Sequence, residues 1–303
     1  MSFGAAFLAT PRLPDPAAPP WGGGALEIAF AGGPYRISGL APDQEARARQ
    51  RFRQMLTTGT PPAAELRLLR APPEHFADIP RMPWTYTLDL RAGPDQVEVA
   101  GLLFQGLLDP GGREGRLWTP LAGGGDFVGV LENFFRILVA YRLLALGGVL
   151  LHSAGVVDRG RARLFFGPSN AGKTTAARIS AGGGRQVLSD DLNAVVPDGA
   201  GGLEVEKLPF AGEYGQTGTP SGRYPLAGCY RLEKGARTVV SDLGTGAAVG
   251  ALLACTPYVN ADPLRQERLL DNLQRLCHRV PVRRLAFPRD GDFWPILYES
   301  DQE

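Results

Sequence analysis

One segment constrains this chain more than any other: Leu164-Phe165-Phe166-Gly167-Pro168-Ser169-Asn170-Ala171-Gly172-Lys173-Thr174-Thr175 fits GxxxxGK[ST]. The match sits where the mechanism needs it, after an apolar run that reads as a strand and before a stretch that reads as a helix. Gly167 and Gly172 let the backbone curl. Across the loop from Gly167 through Pro168, Ser169, Asn170 and Ala171 to Thr174, the backbone N–H groups of every residue but Pro168, with the helix N-terminus behind them, then point at phosphate oxygens. Lys173 adds a compact ammonium, and Thr174 offers a hydroxyl to a magnesium ion bridging the outer phosphates. Thr175 is available as a cap or as a further phosphate contact. The expected ligands are ATP and Mg2+. A chain with 40 glycines meets such a pattern by accident more often than most. Its basic residues argue the other way: the only lysines are Lys173, Lys207 and Lys234, among 32 basic positions, and one of them stands where a point charge is wanted rather than a planar guanidinium.

With 303 residues and 44% hydrophobic side chains the chain can bury one large core or two ordinary ones. Its 32 basic and 31 acidic residues leave no net field to gather nucleic acid or an anionic membrane. The longest apolar stretch, 127–151, carries Glu132, Arg136 and Arg142 near one helical face, which fits an amphipathic helix better than a membrane span. Cys229, Cys255 and Cys277 are too widely spaced for a zinc site or a disulfide framework, and no basic segment precedes the first apolar run. A reducing cytoplasm is the expected location.

Two domains are expected. Residues 1–125 read as a smaller α+β domain, with strands at 25–30, 65–69, 85–90, 96–100 and 102–104 and a helix over 42–56. Its role would be structural or in substrate recognition, and His75 reads as a surface histidine. Residues 126–303 read as an α/β domain: a helix from Asp126 to Gly147, two strands at 149–157 and 163–166, the loop and its helix, and a short strand ending at Asp190-Asp191. Mixed strands then run to about Leu232, followed by helices at 247–254 and 263–279 and a closing strand at 281–287.

In an α/β sheet, ligands bind beyond the carboxyl ends of strands, so Asp190 and Asp191 are delivered beside the loop. One of two adjacent acids can hold the cation while the other takes the proton of an attacking hydroxyl. An Asp-Asp pair also serves as a helix cap or a turn. His152 lies on the strand preceding the loop strand and either faces the phosphates or is an ordinary core histidine.

The order HSAGV, GPSNAGKTT, LSDD from His152 to Asp191 resembles the C-terminal kinase domain of HPr kinase/phosphorylase. It resembles still more the HPr-kinase-like proteins of bacterial peptide-modification clusters, a group whose phosphate-binding architecture is shared with phosphoenolpyruvate carboxykinases. The resemblance implies a P-loop kinase fold of that type, with nucleotide contacts from Gly167 to Thr174, magnesium on Thr174 and Asp191, and Asp190 as base. It gives His152 a place in the catalytic site, and puts Glu213 near metal and acceptor, although Gly-Glu-Tyr-Gly departs from the HPr kinase signature. A transition-state arginine is expected, with Arg223 and Arg231 as candidates. Phosphoryl transfer from ATP to a Ser or Thr hydroxyl of a peptide or small protein is the expected activity. A small-molecule kinase, a carboxykinase and a nucleotide-binding switch or scaffold without transfer are the alternatives, and a homo-oligomer stays open.

Overall fold

Side chains alternate between buried and exposed along most of the strands in the first half of the chain. The computed structural model describes residues 13–76, 88–210, 212 and 222–300. Its first unit takes in residues 1–145 with 261–264. Its elements are β1 (Gly24–Ile28), β2 (Tyr35–Leu40), α1 (Pro42–Arg51), β3 (Ala64–Arg70), β4 (Leu88–Ala92), β5 (Val97–Gly101), β6 (Phe104–Leu108), β7 (Glu114–Thr119) and α2 (Gly125–Ala145). The strands form one sheet in the order β1-β2-β3-β7-β6-β5-β4, parallel at β2–β3 and β3–β7 and antiparallel elsewhere.

Helix α1 stops at Arg51, short of the expected 56. From Phe52 the chain turns so that the Met55 carbonyl accepts the Ala29 N–H, and sheet pairing replaces the last helical turn. The strand expected at 102–104 starts only at Phe104, because Leu103 takes a left-handed φ of 61° in the β5–β6 turn. Of the strand expected at 85–90, residues 85–87 lie outside the described residues. His75 is half-buried in a short 3-10 turn.

The first compact unit runs on through α2 to Ala145. Helix α2 is apolar on most of its surface and finds its partners in the first unit. Phe135 meets Tyr35 edge to face at 5.0 Å and Phe52 at 5.9 Å, while Phe134 meets Phe104 at 6.4 Å. Gly106 leaves the room that Phe134 fills, since a Cβ there would approach its ring to 2.1 Å.

The second unit covers residues 146–260 and 265–303. It contains β8 (Val149–Asp158), β9 (Arg161–Phe166), α3 (Lys173–Gly182), β10 (Gln186–Ser189), β11 (Leu192–Pro197), β12 (Leu203–Lys207), β13 (Arg223–Lys234), β14 (Val239–Asp242), α4 (Thr245–Leu253), α5 (Gln266–Arg279), β15 (Val282–Phe287) and α6 (Trp294–Ser300). Gly155 of β8 pairs with Leu164 of β9 and with Ser189 of β10, so those strands flank β8 on opposite edges. Strand β11 continues the β10 edge, with Leu192 opposite His152. Pairings β11–β12, β12–β13 and β13–β9 then return the circuit to β8, and β15 and β14 extend it beyond β13.

The core of this unit gathers Ala154, Val156, Phe165, Tyr230, Leu232, Leu285 and Phe287 from alternate strand positions against Ala176 and Ala177 of α3, with Phe293, Trp294 and Leu297 around α6. Among the described residues no helix is long and apolar enough to cross a membrane. The architecture is mixed α/β with two sheets, each in its own unit.

Candidate functional site

Strand direction gathers the site. Both β9 and β10 run antiparallel to β8, so their C-terminal ends and the start of β8 share one border of the sheet. Ser153 is opposite Phe166, the last residue before the loop, and His152 is opposite Leu192, the first after the aspartates. Three segments far apart in sequence therefore end within a residue or two of one another.

The loop closes on itself. Ala171 N–H reaches the Pro168 carbonyl at 3.2 Å, and Ala176 N–H reaches the Gly172 carbonyl at 2.8 Å to open α3. Gly172 adopts φ +111°, which a side chain rarely tolerates, and this left-handed step starts the helix right behind the loop. At Gly167 a Cβ would stand 2.8 Å from that of Ala171, so the turn itself demands a residue without one. Lys173 Nζ donates to the carbonyls of Gly167 and Pro168, each at 3.1 Å. Burial pulls its pKa below the ordinary lysine value, while Cys255, Asp191 and Asp190 oppose that shift.

A cavity of about 530 Å3 opens over the loop. Ser169, Asn170, Gly172, Lys173, Thr174 and Thr175 form one side of it, and His152, Asp190, Asp191 and Gly212 form the other. Thr174 Oγ1 donates to Asp190 Oδ2 at 3.0 Å, so the threonine partners Asp190 rather than Asp191. Asp191 instead lies next to His152, with Nε2 and Oδ1 3.7 Å apart. Burial is the largest influence on His152 and lowers its pKa, Lys173 adds to that, and Asp191 and Asp190 pull the other way. The donor set is hydroxyl and carboxylate oxygen, which a hard divalent cation accepts when phosphate and water complete its shell. The residues present therefore fit Mg2+.

Of the loop residues, Ala171 packs against the core rather than facing the cavity. Glu213 lies outside the described residues. Neither Arg223 nor Arg231 is in the cavity wall. Arg223 donates to Glu206 at 2.8 Å where β13 begins, and Arg231, level with Phe166, lies 3.8 Å from Glu233.

Two neighbours escaped the sequence reading. Gly212 closes on the aspartates so tightly that a Cβ would come 2.6 Å from Asp190 Oδ1. Its only signal was its place in the 208–213 stretch of the resemblance. Cys255, just past the end of α4, accepts the His152 N–H through its carbonyl at 2.8 Å, and nothing in its surroundings in the sequence announces this.

A family profile described as SynChlorMet cassette protein ScmC matches residues 130–299, more than half of the chain. The chain belongs to the ScmC family. The ScmC match includes His152, the loop, both aspartates and Cys255, and leaves residues 1–129 outside it. No curated protein matches the chain. Among solved structures, this ScmC-family chain is similar to the HPr(Ser) kinase/phosphatase of Coxiella burnetii at 12% identity, over 50% of this chain and 93% of that one, with a TM-score of 0.28. At that score nothing is carried from that protein to this one.

Proposed function

We propose that this chain is an ATP-dependent kinase that transfers the γ-phosphoryl group to a Ser or Thr hydroxyl of a peptide or small protein. One observation carries the reading: a phosphate-type loop, its lysine, a hydroxyl, two carboxylates and a histidine all wall a single cavity. The backbone of 167–174 and the start of α3 would hold the phosphates. Bound Mg2+ would neutralise charge that develops on the phosphate oxygens. Lys173 supplies a fixed cation beside them, and a carboxylate accepts the proton that leaves the acceptor hydroxyl. Residues 1–125 are proposed to help present the acceptor, in a reducing cytoplasm.

The exposure of the His152 and Asp191 side chains, 41% and 32%, favours a hydroxyl that arrives on a macromolecule. The test has two arms. ATP with Mg2+ should raise the unfolding midpoint, and labelled ATP should mark a Ser- or Thr-containing peptide, seen as a phosphate mass increment. Stabilisation without any labelled peptide or protein from the native host would leave a nucleotide-binding switch, and no stabilisation would remove the nucleotide reading altogether.

A further inference from the structure

We infer that Asn193 is a positioning residue for His152 and Asp191, acting through a buried polar layer on the face of β8 and β11 that lies opposite the cavity. Its consequence for phosphoryl transfer rests on the kinase reading above.

The need for such a layer comes from a break in the sheet. Strand β10 ends at Ser189 and β11 begins at Leu192, with a register shift after Val187, so Asp190 and Asp191 leave the regular pairing. Backbone groups that leave a ladder inside a protein need other partners. The N–H groups of Asp191 and Leu192 both donate to Ser189 Oγ, at 3.1 and 3.3 Å, and the Asp191 carbonyl accepts the Ser153 N–H at 3.0 Å. Ser153 is thus the brace that holds Asp191 against β8, and it directly follows His152 in the strand. Side chains alternate along a strand, so Ser153 faces away from the cavity that His152 walls.

Asn193 holds the brace. Its Nδ2 donates to the Ser153 carbonyl at 2.7 Å and to Ser153 Oγ at 3.1 Å. The amide lies over Gly155, where a Cβ would stand 2.3 Å from Asn193 Oδ1, so glycine leaves the room that the amide fills. The Asn193 side chain is fully buried, and its Oδ1 has no hydrogen-bond partner among the described residues. An orphaned buried acceptor is destabilising, and a leucine of similar size would avoid it. A leucine cannot supply the donor to Ser153. Asn193 therefore gives up stability to fix the segment that carries His152 and braces Asp191.

Histidine provides the readout, because the sequence holds only His75, His152 and His278. Imidazole NMR spectra of the full chain are recorded for wild type, Asn193→Ala, Gly155→Ala and the double variant, with the His152 signal identified by its loss in His152→Gln. Asn193→Ala and Gly155→Ala should each move the His152 signal and leave those of His75 and His278 in place. The double variant should do no more than Asn193→Ala alone, since the smaller side chain makes room for the new methyl. At saturating ATP and Mg2+, ADP release in the same variants, with water or a peptide hydroxyl as acceptor, should fall roughly tenfold or more. Affinity for a non-hydrolysable ATP analogue should change by less than roughly twofold. Should Asn193→Ala fail to fold by circular dichroism, Ser153→Ala, which deletes one of the two Asn193 contacts, takes its place. An unmoved His152 signal, a Gly155→Ala effect that adds to that of Asn193→Ala, or undiminished ADP release overturns the positioning role. A wild type that binds no analogue overturns the kinase reading instead, and the NMR comparison still decides whether Asn193 sets the position of His152.

Discussion

The ammonium of Lys173 is held 3.1 Å from the carbonyl of Gly167, inside the loop whose phosphate it is proposed to serve. Together with the matching bond to Pro168, this arrangement keeps the charge at the floor of the cavity at the cost of partial desolvation. Lys173→Met should abolish phosphoryl transfer and weaken ATP by tenfold or more, a loss of about 1.4 kcal/mol or greater. Stability should hardly fall, because the same change removes a buried charge. Lys173→Arg should not rescue transfer, since a planar fork cannot occupy the place of a compact ammonium between two carbonyls. Titration calorimetry and an unfolding curve on each variant separate the two effects.

Gly212 tests how tightly the aspartates are held. An alanine methyl would have to lie 2.6 Å from Asp190 Oδ1 and 3.1 Å from Asp191 Cβ, so one of those groups must move. Gly212→Ala should weaken Mn2+ in the nucleotide complex by roughly tenfold, as loss of a supporting contact at a metal site does. Its unfolding midpoint should stay within a few degrees of wild type, because the strain is local. Undiminished Mn2+ binding in this variant would show that the Asp190 carboxylate is free to shift without cost.

The strand-loop-helix form around Gly167 to Thr174 was legible because its requirements are local: glycines for a turn, a lysine, a hydroxyl and a flanking strand and helix all lie within a dozen residues. Asp190 and Asp191 were legible as a pair. Which of them meets Thr174 and which meets His152 was not, because sequence spacing does not encode how α3 and β8 approach the end of β10. That α2 packs within the first unit was not legible for a related reason. The apolar pattern of α2 says that it is buried, but only Tyr35, Phe52 and Phe104 say against what. Strands β2 and β7 and helix α6 were missed as well. Helix α6 is short, and its stability comes from Trp294 packing in the core rather than from any run of helix formers.

Stability should depend on pH through His152. Burial and Lys173 hold its folded pKa below the ordinary 6.5, so the unfolded chain binds the proton more readily. The stabilisation from the neutral imidazole is complete above the ordinary value and is lost as pH falls through the lower folded one. The unfolding midpoint of wild type should therefore drop between about pH 7 and pH 5 more steeply than that of His152→Gln. Parallel curves for the two proteins would assign the acid sensitivity to other groups.

Trp294 links a distal helix to the one that carries the loop. Its ring is fully buried, stacks on Phe293 at 5.7 Å, and meets Phe165 edge to face at 5.9 Å. Its Nε1–H donates to Ser180 Oγ of α3 at 3.0 Å, and Arg185 covers the ring at 4.1 Å. Trp294→Ala should cost about 3–5 kcal/mol, as large aromatic truncations in a core do. Trp294→Phe keeps most of the volume and should cost less. Ser180 still has an acceptor in the Ala176 carbonyl at 2.7 Å, so losing the indole N–H leaves no buried donor stranded. Because α3 begins at Lys173, added ATP should recover part of the lost stability in Trp294→Ala, in proportion to how much of the loop survives. Denaturant midpoints of the three proteins, with and without ATP and Mg2+, measure both effects, and an Ala variant as stable as wild type would mean that α6 is not what holds α3 in place.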